Sequence, residues 1–311
     1  MKMVFALFAF VLLLCSFPLF AGEGFTGRFS DFSSAEKWRN SALSGDVPPV
    51  SFLLDGKPSS SLRWIKGKEE EARYTDFALS GEPAERLSRS ADWVCPSEQL
   101  MLRVTESRYP GFPVAEYDAR LVNLSDGPSK TVSDIRSLDA SVMKGGADAH
   151  YNRGTTIPCS AIEYEPFCVR VEKGKDLEVR TVTGLPTQDY LPFFNFAGKK
   201  GGVIAAVNWQ GSWSMKASVS DGCLRLAAGQ GETRLALLPR EELRLPGTVL
   251  MFYKGSDWQE GQNLWRRWIV RHNLFRHTQK RFTELVYLAS PLNQSLEADL
   301  AAIDSPFVKE I

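Results

Sequence analysis

Few residues in this sequence are placed to do covalent chemistry. His272 and His277 are five apart, which puts them on different faces of one helix. No carboxylate accompanies them at ligand spacing, so they read as surface or capping histidines. Asp148 and His150 make a lone Asp-x-His, a pattern better suited to a loop hydrogen bond than to a metal. No Gly-rich phosphate loop ends in Lys, no dinucleotide fingerprint follows a strand, and no Ser stands in a Gly-x-Ser-x-Gly elbow. The 37 acidic residues could hide the carboxylate pair of a glycosidase, ~5–9 Å apart, but spacing along strands singles out no such pair. Glu69-Glu70-Glu71 reads as a solvated loop or a sheet edge that charge protects from pairing. No residue is therefore assigned to catalysis, and neither a metal site nor a cofactor is expected.

The aromatic residues say more. Trp38, Trp64, Trp93, Trp209, Trp213, Trp258, Trp265 and Trp268 are many tryptophans for this length. An indole offers a flat apolar face and one N–H donor, which suits stacking on a sugar ring. Core packing accounts for most of them, Trp93, Trp265 and Trp268 included. Trp209 and Trp213 flank Gln210-Gly211 in NWQGSW, read as a hairpin whose tip faces a ligand. They are the candidate sugar-binding residues.

The elements that would carry them are mostly strands. Period-two alternation places Leu100, Leu102 and Val104 on one face, and does the same for Ala115, Tyr117, Ala119 and Leu121. Val203, Ala205, Val207 and Trp209 follow, then Trp213, Met215, Ala217 and Val219. Leu224 with Leu226, Leu235 with Leu237, and Val249, Met251 and Tyr253 complete the series. Asp55-Gly56, Asp126-Gly127 and Asp221-Gly222 suit tight hairpins, since Gly tolerates positive φ, and Lys173–Lys175 reads as another. So many short strands point to a large antiparallel sandwich. From Asp257 the register changes to helical spacing, with Leu264, Trp265, Trp268 and Ile269 on one side. Asp257 is the expected N-cap, with Glu260 three residues on. FTELVYLA and SLEADLAAI then read as a strand and the start of a helix.

Composition sets the outer limits. The chain has 311 residues, 43% of them hydrophobic, and equal numbers of basic and acidic side chains. That content fills a core and excludes global disorder. A formal charge of zero gives no field for a phosphate backbone, so nucleic acid is not an expected partner. One charge at Lys2 followed by the apolar run Val4–Phe20 and Ala21-Gly22 has the form of a secretory signal peptide, cut near Ala21. The run is short for a bilayer span of ~20 residues, so the expectation is export to a periplasmic or extracellular location with no stable membrane span after cleavage. Cys95, Cys159, Cys168 and Cys223 remain; Cys159 and Cys168 could close a short loop, but no obligatory disulfide is expected. Asn123 and Asn293 stand in glycosylation sequons.

Five segments, in order, resemble the N-terminal sandwich of α-galactosidase-type enzymes of glycoside hydrolase family 36. They are WVCPSEQLMLRVTESRYPGFPVAEYDARLVNLSDGPSKTVSDIRSLD (Trp93–Asp139), HYNRG (His150–Gly154), GLPTQDYLPFFNF (Gly184–Phe196), GGVIAAVNWQGSW (Gly201–Trp213) and the run from Glu242 to Asn273. The resemblance implies a mainly β fold: an antiparallel β-supersandwich over residues 22–256, then a linker helix and a short α/β stub over 257–311, the truncated start of a barrel-like region. In the family a (β/α)8 barrel and a small β domain come next, and two barrel aspartates hydrolyse the α-galactoside with retention. Neither aspartate maps here, because the stretch after Asn273 is too short for a barrel of about 250 residues. The implied function is a non-catalytic module, inactive alone, that supports a separately encoded barrel and contributes to α-galactoside or other sugar binding. A stand-alone carbohydrate-binding protein and a truncated fragment without activity are the alternatives.

Overall fold

A computed structural model describes residues 31, 33, 34, 37, 50–77, 83–155, 162–230 and 232–273. The expected signal peptide, Trp38, Cys159, His277, Asn293 and the stub beyond 273 lie outside these residues.

Among the described residues, seventeen strands form two antiparallel sheets. In chain order they are β1 (Ser51–Leu54), β2 (Lys57–Pro58), β3 (Ile65–Phe77), β4 (Pro83–Cys95), β5 (Leu100–Tyr109), β6 (Phe112–Asn123), β7 (Val132–Lys144), β8 (Ala147–Arg153) and β9 (Pro166–Val171). Next are β10 (Leu177–Arg180), β11 (Tyr190–Ala197), β12 (Gly201–Asn208), β13 (Trp213–Ser220), β14 (Cys223–Gln230), β15 (Arg234–Leu235), β16 (Glu242–Arg244) and β17 (Gly247–Lys254). One sheet runs β10-β13-β14-β7-β1-β2, with β15 also on β7. The other runs β3-β4-β5-β6-β17-β12-β11-β8-β9, with β16 also on β6. A C-terminal helix, α1 (Trp258–Trp268), and a π-helical turn (Ile269–Asn273) follow β17, and a short 3-10 turn (Ser59–Ser61) follows β2. The mainly β sandwich ending in an amphipathic helix is thus the observed fold, and no described helix is long and apolar enough to cross a membrane.

The alternating residues of β5 and β6 are buried as their spacing demands: Leu100, Leu102, Val104, Ala115, Tyr117, Ala119 and Leu121 all face the core. They meet Phe52, Leu138, Trp213, Met215, Leu224 and Leu226 of the facing sheet. β12 and β17 behave differently, because both of their faces are covered. Val203, Ala205, Leu250 and Phe252 enter the sandwich. Ile204, Val249, Met251 and Tyr253 pack on the other side with Leu264 and Trp268 of α1. The alternating set Val249, Met251, Tyr253 therefore faces the helix, not the sandwich interior. A strand buried on both faces keeps no polar side to reveal its orientation.

α1 begins as its sequence requires. The Asp257 carboxylate accepts from the Gln259 backbone N–H at 2.9 Å, meeting one of the donors a helix start leaves open. Glu70 and its neighbours lie in β3, an edge strand of the ten-stranded sheet, where charge deters pairing with another chain.

Turn residues are a mixed guide. Asp55-Gly56 and Asp221-Gly222 take positive φ and close the β1–β2 and β13–β14 hairpins. Asp126-Gly127 does not take positive φ, and it connects β6 to β7, which lie in different sheets. Lys173–Lys175 does turn, at Gly174 with φ 80°, but β9 and β10 also part to different sheets. The same holds for NWQGSW between β12 and β13. All three lead from one layer to the other. Lys173–Lys175 is a tight reversal closed by the Glu172–Lys175 bridge, and the other two are not hairpins: a turn motif specifies reversal of the chain and not which neighbour the next strand joins.

Candidate functional site

The crossing from β12 to β13 carries the two candidate sugar-binding tryptophans, and the structure separates them. Trp213 is fully buried; its indole N–H donates to the Pro186 carbonyl at 2.7 Å and its ring meets Phe194 edge-on at 5.8 Å. It presents no free face to a sugar, which corrects the expectation drawn from its place beside Gln210-Gly211. The physical reason is the layer crossing: Trp213 opens a strand of the facing sheet, and its first side chain turns into the core.

Trp209 is half-buried, packed against the core from outside. A Cβ on Gly211 would stand 3.0 Å from its indole nitrogen, so the absence of a side chain there leaves the ring in place. Beside this corner runs the loop after β10. Thr181 N–H donates to Trp213 O at 3.0 Å, and Gly184 N–H donates to the Ser212 hydroxyl at 3.0 Å. Val182 and Leu185 on this loop are 62% and 46% exposed. Trp209, Val182 and Leu185 are thus the accessible apolar side chains of the two segments that the Gly184–Ser212 and Thr181–Trp213 hydrogen bonds bring together, and together they are termed the rim. The loop is pinned at its far end by Gly154 of HYNRG, where a Cβ would come within 1.9 Å of the Thr187 carbonyl.

The other chemistry-bearing residues are structural. His150 stacks on Trp258 with ring centres 4.4 Å apart and planes 14° from parallel; burial lowers its pKa, with Asp148 opposing. Asp148 faces Arg170 at 3.1 Å across β8 and β9. This Asp-x-His lies on a strand, not in a loop. Among the described residues no group of His, Cys, Asp and Glu could hold a metal ion. Cys95, Cys168 and Cys223 are free thiols, the first buried and the second exposed. Asn123 is buried; its amide donates to the carbonyls of Gly127, Leu237 and Leu238 at 2.8, 3.2 and 2.9 Å, so its sequon is closed in the folded chain.

His272 departs from the sequence reading as a surface residue. Its side chain is 2% exposed, with Nδ1 3.3 Å from the Asp76 carboxylate. Its ring lies edge-on to Tyr109 at 4.7 Å and to Phe112 at 5.6 Å. Asp76 also binds Arg86 at 3.2 Å, and Tyr109 donates to Glu116. Burial lowers the His272 pKa, with Asp76 opposing. Burial and the neighbouring Glu116 carboxylate raise that of Tyr109. These groups clamp the π-helical turn to β3, β5 and β6. The missed signal was the helical spacing itself: His272 follows Trp265 and Trp268 on the covered side.

No protein-family model matches the sequence, and no curated protein matches it. Solved structures do match in fold. The α-galactosidase from Lactobacillus brevis is similar at a TM-score of 0.53 and 14% identity, over 68% of this chain and 29% of that one. The galactosidase domain of the α-galactosidase–sucrose kinase AgaSK is similar at 0.52 and 15%, over 67% and 30%. A variant of the family 36 α-galactosidase AgaA from Geobacillus stearothermophilus, in complex with raffinose, is similar at 0.52 and 12%, over 68% and 30%. The chain thus spans about three tenths of the length of the enzymes it matches. The likeness read from the five sequence segments holds at the level of fold, and it fits a partial, N-terminal domain of such enzymes.

Proposed function

We propose that this chain is the non-catalytic front module of an exported α-galactosidase-like glycoside hydrolase. Residues 22–256 would form its sandwich and 257–311 would lead towards a barrel. The observation that supports this most is the pairing of coverages: two thirds of this chain match under a third of each α-galactosidase. The apolar leader before Ala21 supports export. Fold does not carry activity with it, so the role is argued from surfaces. The rim of Trp209, Val182 and Leu185 is where the module meets a sugar: Trp209 lends an aromatic face, and the Gln210 side chain beside it is exposed to hydroxyl groups. No carboxylate of the chain is assigned to bond cleavage, and the module alone is inactive.

The test is hydrolysis of an aryl α-galactoside by the purified chain, with galactose and raffinose binding followed by calorimetry on the same sample. The expected result is no turnover, with raffinose binding weakened about tenfold by Trp209→Ala, equivalent to ~1.4 kcal/mol. Turnover would overturn the non-catalytic reading and demand a carboxylate pair inside the sandwich. Raffinose binding that ignores Trp209→Ala would remove the rim from the proposal.

A further inference from the structure

At the Gly201 end of β12, two turns and a strand end converge. Lys144-Gly145-Gly146 joins β7 to β8, Gly198-Lys199-Lys200-Gly201 joins β11 to β12, and β17 ends beside them at Tyr253-Lys254. Between them lies a cleft of about 520 Å³, bordered also by Asp31 and Ser34.

The glycines are there because the main chains press together. A Cβ on Gly146 would stand 2.3 Å from the Val171 carbonyl, one on Gly201 2.5 Å from the Tyr253 carbonyl, and one on Gly202 2.2 Å from the Tyr253 hydroxyl. Much of the wall is therefore peptide, and the lysines supply the charge. Lys144, Lys199 and Lys200 are exposed, and among the described residues none has a carboxylate partner. Lys254, the cross-strand partner of Gly201, adds a fourth such cation nearby. Arg170 also lines the cleft but is held by Asp148. The one acidic residue in the lining, Asp31, is already engaged by the Ser34 backbone N–H and hydroxyl.

This concentration is not a by-product of a basic protein, for the formal net charge is zero. Elsewhere many cations are paired, among them Arg103 with Asp92, Arg225 with Asp139, Arg240 with Asp126 and Arg244 with Asp118. The unpaired ones among the described residues, such as Lys57 and Lys173, do not gather around a cleft. Unpaired lysines gathered around a concavity raise the local concentration of anions. The volume exceeds the needs of a bare oxyanion and falls in the range of small-molecule sites, ~300–1,000 Å³. One or two sugar rings would fill that volume, which a bare anion would leave largely empty.

We propose that this cleft binds an anionic saccharide, one or two sugar rings bearing a phosphate or a carboxylate. The site is separate from the Trp209 rim. The eight residues of β12 lie between them, roughly 25 Å at ~3.3 Å per residue. Its failure and that of the rim are thus told apart.

The experiment is calorimetry on the full chain at low salt with galactose 6-phosphate, digalacturonate, inorganic phosphate and galactose. It is repeated with Lys144→Gln/Lys199→Gln/Lys200→Gln and with Trp209→Ala. All three lysines are exposed, so the triple variant should fold, and circular dichroism checks this. The expected result is that one of the two anionic sugars binds, about tenfold more weakly in the triple variant and unchanged in Trp209→Ala. Raising salt to about 0.5 M should weaken it too. Galactose 6-phosphate alone binding identifies a free sugar phosphate as the source, and digalacturonate alone an acidic polysaccharide. No binding by either, equal binding by the triple variant, or inorganic phosphate binding as tightly as the sugars would each overturn the proposal.

Discussion

Over β12 and β17 the outer face of the ten-stranded sheet is apolar and roofed by α1. Over β4, β5, β6 and β16 the same face is a ribbon of charge. Under the helix, Ile204, Met251, Tyr253, Leu264 and Trp268 form a closed cluster. Tyr253 lies so close to Gly202 and Gly261 that neither could carry a methyl group, and its hydroxyl donates to buried Asn195 at 2.7 Å. Asn195 in turn donates to the Trp258 carbonyl at 2.9 Å, tying the sheet to the start of the helix. On the charged half, Arg103 meets Asp92 at 2.7 Å, Arg244 meets Asp118 at 2.9 Å, and Arg120 meets Glu242. One half is held by shape and burial. The other is held by its inner face, with partly exposed ion pairs on the outside that contribute little to stability. A sandwich can thus use one sheet both to anchor the chain leading away from it and to keep a wide solvated surface.

The comparison predicts a graded response to substitution. Trp268→Ala should cost ~3–5 kcal/mol in urea unfolding, since it empties a fully enclosed indole site. Gly261→Ala is a sharper probe, because helix propensity alone favours it by ~1 kcal/mol. A Cβ there would meet the Tyr253 ring at 2.6 Å, and that ring is fixed by Asn195. The clash wins, and net destabilisation of ~1–2 kcal/mol is expected; a neutral or stabilising result would show that the roof is loose.

Next comes the clamp at the helix end. Burial holds the folded-state pKa of His272 below its ordinary value, so the unfolded chain takes up that proton first as pH falls. The contribution is full above about pH 6.5 and is lost below it, through the folded-state pKa. Melting temperature should therefore fall between about pH 7 and pH 5, and His272→Phe should flatten that slope. His150, also lowered by burial, would leave a residue of it. A slope untouched by His272→Phe would detach the histidine from stability.

The smallest effect belongs to the charged half. Arg103→Ala should cost no more than ~1 kcal/mol, and less in high salt. A loss comparable to that of Trp268→Ala would mean the two halves are not held differently after all.

Much of this division was legible in the residues, and the exceptions share a cause. The alternation of β5 and β6 showed their buried face because their other face is polar. The Asp257 cap and the Trp265 and Trp268 stripe showed the helix because both signals lie within a few residues. Trp209 and Trp213 shared a motif but not a fate. The cleft lysines were visible as two Lys-Gly-Gly runs, Lys144–Gly146 and Lys200–Gly202, yet nothing in the order of residues said that the runs meet.

The sequence by itself therefore determined the strands whose alternation is clear, such as β5, β6, β13 and β14, where the helix starts and how the one-sided strands orient. Local backbone preference and the period of the side chains suffice for that. Only the tertiary structure decided that Asp126-Gly127, Lys173–Lys175 and Trp209–Trp213 cross between sheets, that His272 is buried, and which face of β17 meets the helix. Those outcomes depend on which distant strand offers the better burial, and no local φ preference or alternation encodes a partner many residues away.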